Sequence, residues 1–394
     1  MNIKGEILEK LTKLRQDLHK HPEVSHKESK TAQKIKEHIG KYNPDEVIEN
    51  IGGNGILFLF KGKEEGKTIF FRAELDALPL KEESGKEYRS VHEKTAHLCG
   101  HDGHMAMLTG LAPLLNENRD FEGTVGLLFQ PAEETGEGAE KILEDKRFTD
   151  LNPDYIFALH NIPGLEKGSI VVKEGVFAMG STGMVITLEG KSTHAAYPEK
   201  GISPGKAISK IILGIDQVNA DKAYGGVAFA TIIHSRMGSE AFGTQPGEGT
   251  LMLTLRAESD SDIDKLKANV IKLADAACSA EALKCVISYT EEFKTTVNDS
   301  DAVKIIRNAV KETGNKEEEF RKPFRWSEDF GRFMEKYKGA MFGLGAGGDL
   351  PELHNPDYDF PDDLIPEGVN IFYQIVTDLL YPHKIEDTAK HKHN

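Results

Sequence analysis

The sequence predicts an α/β protein in which a mostly parallel, mixed sheet is interrupted by a smaller inserted domain. Strand and helix patterns alternate through the first 180 residues, which is typical of parallel α/β sheets. Between residues 181 and 291 the order becomes β-α-β-β-α-β, the ferredoxin-like arrangement, over a length that suits a separate domain. The α/β pattern then returns, so residues 1–180 and 292–394 are predicted to form one domain around the insertion.

In the first segment, apolar residues at helical spacing predict an N-terminal helix that ends near Pro22. Apolar runs bounded by turn residues predict strands, and the first two strands are expected to be neighbours. The predicted helices are 30–39, 104–115 and 139–143, and the predicted strands are 56–60, 68–71, 124–129 and 155–159. Asp102 is expected to cap the helix that follows it.

The inserted segment and the returning segment are predicted in the same way. The insertion is expected to contain strands 184–188, 227–233, 250–255 and 284–289 with helices 204–215 and 263–280. Beyond it we predict helices 301–313 and 366–380, a strand 341–344 and a further helix capped by Ser327. The polar tail from His383 onwards is expected to fray.

Composition excludes several function classes. The net charge is −15, from 49 basic and 64 acidic residues, which argues against a nucleic-acid partner. No stretch has the length of a membrane span, and the N-terminus lacks the apolar core of a signal peptide. The three cysteines, Cys99, Cys278 and Cys285, are too few for a disulfide framework and favour a reducing compartment. We therefore expect a cytoplasmic protein without a membrane partner.

The stretch from Leu98 to His104 concentrates a thiol, two imidazoles and a carboxylate beside two glycines. Cys99 and His101 are two residues apart on a turning loop, so both side chains can face one metal ion. A thiolate and an imidazole suit zinc, whereas carboxylates and histidines also suit manganese. A structural zinc site is the alternative, although closed sites of that kind usually contain several cysteines.

Further candidate ligands follow predicted strands. Glu133 and Glu134 come directly after one apolar strand, His160 follows another, and His354 lies much later. Ligands bind at the carboxyl ends of strands in α/β sheets, so these groups are expected to converge. Five ligands exceed the usual three of one catalytic zinc and would better serve two ions about 3.5–4 Å apart.

Two pairs of acidic residues could belong either to a functional site or to an exposed surface. Glu133 and Glu134 are adjacent, so we expect them to diverge, one binding metal and the other acting as a general base toward water. An exposed acidic pair at a helix start is the alternative. Glu74 and Asp76 lie two residues apart at another strand end and are expected to face one site, with a solvated loop as the alternative.

Three further histidines carry weaker signals. His19 and His21, at the end of the first helix, are interpreted as surface or capping side chains. His194, in the inserted segment, is typical of a loop histidine. It would gain a role if the inserted domain closes over the metal centre, where it could polarise a scissile carbonyl.

Taken in order, these motifs resemble the metal-dependent amidohydrolase branch of the aminoacylase-type metallopeptidases. That branch includes hippurate hydrolases, indole-acetyl-amino-acid hydrolases and N-acetyl-diaminopimelate deacetylases, and the resemblance covers nearly the whole chain. The runs that carry it are LRQDLHKHPE, RAELDALP, HLCGHDGHMAML, LLFQPAEETGEGA, ALHNIPG, STHAAYPEKGISP, SEDF and LHNPDYDFPDD.

The resemblance implies a zinc-exopeptidase-like catalytic domain interrupted by a lid that also forms a homodimer. It implies hydrolysis of the amide bond of N-acyl amino acids by two divalent metal ions, which are Mn, Zn, Co or Ni. By the same resemblance Glu133 is the general base, Asp76 belongs to the catalytic site, and His194 assists at the substrate carbonyl. The implied metal ligands are Cys99, His101, Glu134, His160 and His354.

Two departures from the family pattern concern the substrate. The family commonly has aspartate where Glu74 stands, and its lid asparagine is missing from the stretch 241–246. Arg236, Thr244 and Gly345 are therefore predicted as substrate contacts. The alternatives to an amidohydrolase are a dipeptidase or aminopeptidase with the same metal centre and a non-catalytic small-molecule binder.

Overall fold

The computed structural model describes residues 5–381, and the tail predicted to fray lies outside them. The chain divides into two compact units. Unit 1 takes the described parts of Met1–Phe177, Thr296–Lys322 and Asp329–Asn394, and unit 2 takes Ala178–Thr295 and Pro323–Glu328.

Helices and strands alternate along much of the described chain. The α-helices are α1 (Glu6–Lys20), α2 (Ser29–Ile39), α3 (His101–Thr109), α4 (Leu111–Glu117), α5 (Gly138–Glu144), α6 (Lys146–Thr149), α7 (Gly205–Asn219), α8 (Asp260–Ala280), α9 (Ser300–Thr313), α10 (Gly331–Met334) and α11 (Ile365–Leu380). Short 3₁₀ helices are Gly40–Tyr42, Pro198–Lys200 and Asp362–Leu364.

The strands are β1 (Glu46–Ile51), β2 (Gly55–Lys61), β3 (Glu64–Glu74), β4 (Glu122–Gln130), β5 (Tyr155–Pro163), β6 (Ile170–Val172), β7 (Gly175–Ala178), β8 (Gly180–Glu189), β9 (Thr193–His194), β10 (Ala228–Met237), β11 (Thr244–Gln245), β12 (Glu248–Ala257), β13 (Lys284–Phe293), β14 (Thr296–Asn298), β15 (Glu317–Glu319) and β16 (Gly339–Gly347).

Unit 1 contains an eight-stranded mixed sheet in the order β1-β2-β4-β3-β5-β16-β6-β15. The centre of this sheet is parallel, because β3 pairs in parallel with β4 and β5, and β5 pairs in parallel with β16. The carboxyl ends of these four strands therefore lie along one edge of the sheet. The predicted α/β class with a mixed sheet is confirmed.

Both faces of this sheet are covered. The ring of Phe71 lies 5.1 Å from that of Phe372 on α11, whereas the ring of Phe70 lies 5.7 Å from that of Phe148 on α6. Successive side chains of a strand point to opposite faces, so helices pack on each side. This explains why β2 is apolar and buried from Gly55 to Phe60 rather than alternating.

Two predictions about the elements are wrong. β2 and β3 are not neighbours, because β4 lies between them and pairs with both. An apolar strand such as β4 buries more surface in that central position than at an edge. Ser327 does not cap a helix: its hydroxyl oxygen accepts a hydrogen bond from Arg256 at 2.8 Å, and the short α10 starts at Gly331.

Unit 2 contains a four-stranded antiparallel sheet in the order β10-β12-β8-β13, with α7 and α8 packed on one face. The chain order of these elements is the predicted β-α-β-β-α-β. The edge strand β10 carries two exposed apolar side chains, Ile233 at 60% and Met237 at 44% exposure. An edge of this kind offers unpaired backbone groups and apolar surface to another strand.

The cysteines differ from the expectation of reduced thiols. Cys278, near the end of α8, and Cys285, at the start of β13, form a disulfide seven residues apart in sequence, whereas Cys99 is buried and belongs to no disulfide. The tight turn between helix and strand brings the two thiols together. Within residues 5–381, no helix is both long and apolar enough to cross a bilayer.

Candidate metal centre

The carboxyl edge of the unit 1 sheet collects the candidate ligands. Glu133 and Glu134 lie in the turn after β4, and His160 lies on β5. The strand β5 continues past the predicted end because it keeps pairing with β16 as far as Pro163. Cys99 precedes α3, and His101 is the first residue of that helix.

Glycine shapes the loop that carries Cys99 and His101. Gly100 has a φ of 89°, and a Cβ at this position would collide with the side chain of Asn161. Glycine adopts this left-handed conformation without steric cost. The turn is what lets the thiol and the imidazole on either side of Gly100 approach one another.

The five predicted ligands form two groups that share one thiol. The donor atoms of Cys99, His101 and His160 lie within 4.8 Å of one another, and those of Cys99, Glu134 and His354 satisfy the same limit. Three donors in each group leave coordination positions open, as catalytic metal sites require. The structure thus brings together all five residues that the sequence nominated.

The protonation of two histidines fits a metal role. Nδ1 of His101 lies 2.9 Å from the main-chain carbonyl of Asp76, and Nδ1 of His160 lies 2.9 Å from that of Asn161. A carbonyl only accepts, so each Nδ1 carries the proton and each Nε2 keeps its lone pair. Nε2 of His101 is buried with no hydrogen-bond partner among the described residues. An orphaned acceptor of this kind suits a divalent cation.

The surroundings of His160 and His354 also favour neutral imidazole rings. Burial, followed by the neighbouring His104, holds the pKa of His160 well below its usual value. Burial and His101 lower the pKa of His354 as well. Neutral imidazole is the metal-binding form, so both side chains are ready to bind a cation at neutral pH without first losing a proton.

The two adjacent glutamates do not diverge as expected. Oε2 of Glu133 lies 3.9 Å from Nε2 of His101, and Oε1 of Glu134 lies 3.8 Å from the same nitrogen. The reason is the backbone: the residues occupy a turn, where strand alternation does not apply, and Ala132 before them has a φ of 51°. Only Glu134 also groups with Cys99 and His354.

Asp76 acts on the ligands through both its main chain and its side chain. Its carbonyl orients His101, and its carboxylate accepts hydrogen bonds from the Glu134 backbone at 3.0 Å and from Ser25 at 2.7 Å. Asp76 is fully buried. It therefore ties the turn after β4 to the loop after β3.

A second layer of buried charge includes Glu74. Its carboxylate accepts a hydrogen bond from Nδ1 of His104 at 2.7 Å and pairs with Arg72, which donates to Asp329 at 2.8 Å. Although burial raises the pKa of Glu74, Arg72 and His104 hold it well below its usual range. The extra methylene of this glutamate, relative to the family's aspartate, is accommodated in contacts with His104 and Arg72. We did not nominate His104, although its position three residues after His101 places it on the same helix side.

The interpretation of His19 as a surface residue is wrong, whereas its neighbour His21 is exposed and contacts Asp17. His19 is fully buried, with Nδ1 2.9 Å from Asp102 and Nε2 3.2 Å from Glu82. Its spacing of four residues from Arg15 and eight from Leu11, both on the buried face of α1, was the available signal. Asp102 consequently pairs with His19 and does not cap α3, whose N-cap is Gly100.

The buried His19 makes stability depend on pH. Although burial lowers its pKa, Asp102 and Glu82 raise it to about 10. A raised pKa adds stability that is complete below the unfolded value of about 6.5 and is lost as pH rises through about 10. We expect His19→Gln to lower the free energy of unfolding by roughly 3–5 kcal/mol at pH 6, and by clearly less at pH 10.

Urea unfolding of metal-free protein at pH 6, 8 and 10 measures this dependence. The matched control is His21→Gln, which changes an exposed histidine on the same helix end. A His19→Gln penalty that stays constant across the three pH values would contradict the assignment of a charged, buried His19.

The remaining nominated residues, apart from Gly345, belong to unit 2. Thr244 pairs with His194 in the short β9–β11 ladder, and both are exposed. Arg236 and Thr244 line one open cavity of about 660 Å³ in this unit. Gly345 is buried in unit 1, where its N–H donates to the carbonyl of Ser169 at 2.8 Å.

The sequence that carries these donor groups matches a known family of proteins. A model of peptidase family M20/M25/M40 matches residues 70–378. The chain belongs to this family. Its similarity to a hippurate hydrolase of Campylobacter jejuni is 30% identity over 388 residues, which cover 96% of this chain and 100% of the relative.

Two further relatives support the family assignment. An N-acetyldiaminopimelate deacetylase of Bacillus licheniformis is 31% identical over 365 residues, covering 92% of this chain and 97% of the relative. Among solved structures, a dinuclear metal-binding peptidase of the M20 family from Bacillus subtilis superimposes with a TM-score of 0.80 at 27% identity, covering 95% of this chain and 98% of the other. The predicted resemblance and the assignment as a metallopeptidase-type hydrolase are confirmed.

Proposed function

We propose that this protein hydrolyses the amide bond of N-acyl amino acids, giving a carboxylate and a free amino acid, with two divalent metal ions. The observation that carries the proposal is the pair of three-donor groups sharing Cys99, with Glu133 beside them. A hippurate hydrolase and an N-acetyldiaminopimelate deacetylase, both similar along nearly their full lengths, have names that describe this kind of substrate.

The donor set fits two ions chosen from Mn, Zn, Co and Ni, because it combines one thiolate with imidazoles and a carboxylate. Cys99, His101 and His160 would hold one ion, and Cys99, Glu134 and His354 would hold the other. When bound, the ions act as Lewis acids toward the amide and the attacking water. Asp76 contacts both His101 and the Glu134 backbone, so it fixes one ligand of each ion relative to the other.

Glu133 is proposed as the general base. The residue is buried, at 4% exposure, and its carboxylate groups with His101 and Glu134 but with neither set of donors that contains Cys99. In this position its carboxylate accepts a proton from the attacking water. It then delivers the proton to the leaving nitrogen, so that the amine departs neutral.

His194 is proposed to assist at the substrate carbonyl. The backbone N–H of Ala196 donates to Nδ1 of His194 at 3.0 Å. A backbone N–H can only donate, so Nδ1 is the acceptor and the neutral ring carries its proton on Nε2. Nε2 is then available to donate a hydrogen bond to a substrate. A donor of this kind stabilises negative charge that develops on a carbonyl oxygen. Arg236 and Thr244 remain proposed contacts for the rest of the substrate, together with Gly345.

The test is release of free amine from a panel of N-benzoyl and N-acetyl amino acids and plain dipeptides. The protein is stripped of metal and then supplied with Mn, Zn, Co or Ni separately. We expect metal-dependent release from the acylated substrates. Release from dipeptides alone would make the protein a peptidase, and no release with two ions bound would overturn the hydrolase proposal.

We also propose that the protein is a cytoplasmic homodimer formed through unit 2. The support is the edge strand β10, whose exposed Ile233 and Met237 suit pairing with a second copy about a twofold axis. Light scattering at micromolar concentration should give twice the mass of 43.6 kDa. Ile233→Lys should shift the mass toward the monomer, and a monomeric wild type would contradict the proposal.

A further inference from the structure

Arg15 connects two segments that carry candidate metal ligands. From the buried face of α1, its Nη1 donates to Asp359 and its Nε donates to Asp362, both at 2.7 Å. Nη1 also lies 3.5 Å from Asp102, the residue after His101. One fully buried guanidinium therefore joins the start of α3 to the segment that follows His354.

The segment 353–361, which contains His354, forms neither helix nor strand. The N–H of His354 donates to the carbonyl of Leu98 at 2.8 Å, and the buried hydroxyl of Tyr358 accepts from Asn161 at 2.5 Å. His354 has a φ of 68°, a conformation that a residue other than glycine keeps only when its surroundings impose it. The anchors of this segment therefore decide where the imidazole lies.

Asp359 is the charged anchor of that segment. Besides the bond from Arg15, it accepts a hydrogen bond from the Tyr88 hydroxyl at 2.7 Å, and Lys86 lies 3.1 Å away. The guanidinium of Arg15 also stacks over the Tyr88 ring, with 4.6 Å between its carbon and the ring centroid. Arg15 is thus held in one orientation while it holds Asp359.

Loss of Arg15 would affect Asp102, at the start of α3, less than Asp359, in the segment that carries His354. Asp102 would keep its second cationic partner, His19, at 2.9 Å and would stay buried. The Asp359 side chain is already 10% exposed and would keep, as cationic partners among the described residues, only the more distant His19, at 3.9 Å, and the partly exposed Lys86, at 3.1 Å, so it can recover hydration by moving outward. A buried carboxylate without its partner is strongly unfavourable, so the displacement falls on the segment that carries His354.

We propose that Arg15 is a positioning residue for His354 and therefore for one of the two metal ions. This inference rests on the two-ion centre of the proposed function. The group of Cys99, Glu134 and His354 depends on Arg15, whereas the group of Cys99, His101 and His160 does not.

Calorimetric titration of metal-stripped protein with Co²⁺ tests this dependence without any substrate. We expect the wild type to bind two ions. Arg15→Met should weaken one ion at least tenfold and leave the other within about threefold, and Arg15→Lys should fall between. Arg119→Met is the matched control, because Arg119 also pairs with a carboxylate and lies over an aromatic ring, that of Phe60. His354→Ala shows the effect of deleting the ligand itself.

Asp359→Asn provides a second test if Arg15→Met does not fold by circular dichroism, and it should weaken the same single ion. Equal weakening of both ions, unchanged binding in Asp359→Asn, or a wild type that binds fewer than two ions would overturn the inference. Amine release is measured separately. A wild type that binds two ions and hydrolyses nothing would overturn the proposed function alone, and normal hydrolysis with wild-type binding by Arg15→Met would overturn this inference alone.

Discussion

Glu133→Gln should lower kcat by about 10²–10⁴-fold, the usual contribution of a positioned general base, and leave both metal ions bound. The amide of glutamine keeps the size of the side chain but cannot accept the proton of the attacking water. The carboxylate lies 3.9 Å from Nε2 of His101 and groups with His101 and Glu134, but it belongs to neither set of donors that contains Cys99, so its loss should leave both of those sets intact. Amine release and Co²⁺ binding, measured on the same preparation, check both halves of this result.

The matched control is Glu134→Gln, which makes the same chemical change at the neighbouring position. Because Glu134 groups with Cys99 and His354, this variant should lose affinity for one ion as well as activity. The pair of variants therefore separates proton transfer from metal binding. Turnover by Glu133→Gln above a tenth of the wild-type rate would contradict the role of Glu133 as base.

The convergence of the ligands was predictable from the sequence because of a general property of parallel sheets. Glu133 and Glu134 follow one apolar strand, His160 lies in the last half of another, and parallel strands align their carboxyl ends at one edge. The order β-α-β-β-α-β in unit 2 was predictable for a similar reason, since its apolar periodicities are regular. In both cases local pattern and tertiary packing favour the same answer.

Other features depend on partners that are distant in sequence. His19 and Asp102 lie 83 residues apart, and neither position alone indicates that an imidazolium is buried against a carboxylate. The strands β2, β3 and β4 all contain an apolar run, so their sequences alone do not indicate that β4 lies between β2 and β3. The approach of Glu133 and Glu134 to one nitrogen requires the turn conformation of Ala132, which no residue preference predicts for alanine.

These non-local features share a location. The ion pairs of His19 and Arg15 and the hydrogen bond between Glu74 and His104 all support segments that carry candidate ligands. Supporting contacts of this type fix the orientation of metal ligands and tune their basicity. Several of the contacts that sequence patterns missed therefore hold the segments of the metal centre in place.

Removal of the Cys99 thiol should have the largest effect on the metal centre, because Cys99 is the one residue common to both donor groups. Loss of an outer-shell contact typically costs 10–100-fold in metal affinity, so Cys99→Ala should weaken both ions by about 100-fold or more. His160→Ala and His354→Ala should each weaken only one ion. Chelator-treated wild type should match the inactivity of Cys99→Ala and recover when metal is restored.

Absorption spectra of the Co²⁺ protein distinguish the role of the thiol from a loss of folding. The wild type should show a thiolate-to-cobalt charge-transfer band that is absent from Cys99→Ala. Cys99→Asp provides an oxygen ligand at the same position and should recover part of the affinity for both ions without that band, because carboxylates also bind these metals. If Cys99→Ala keeps one ion at wild-type affinity, the thiol serves a single metal, and the two groups of donors do not share it.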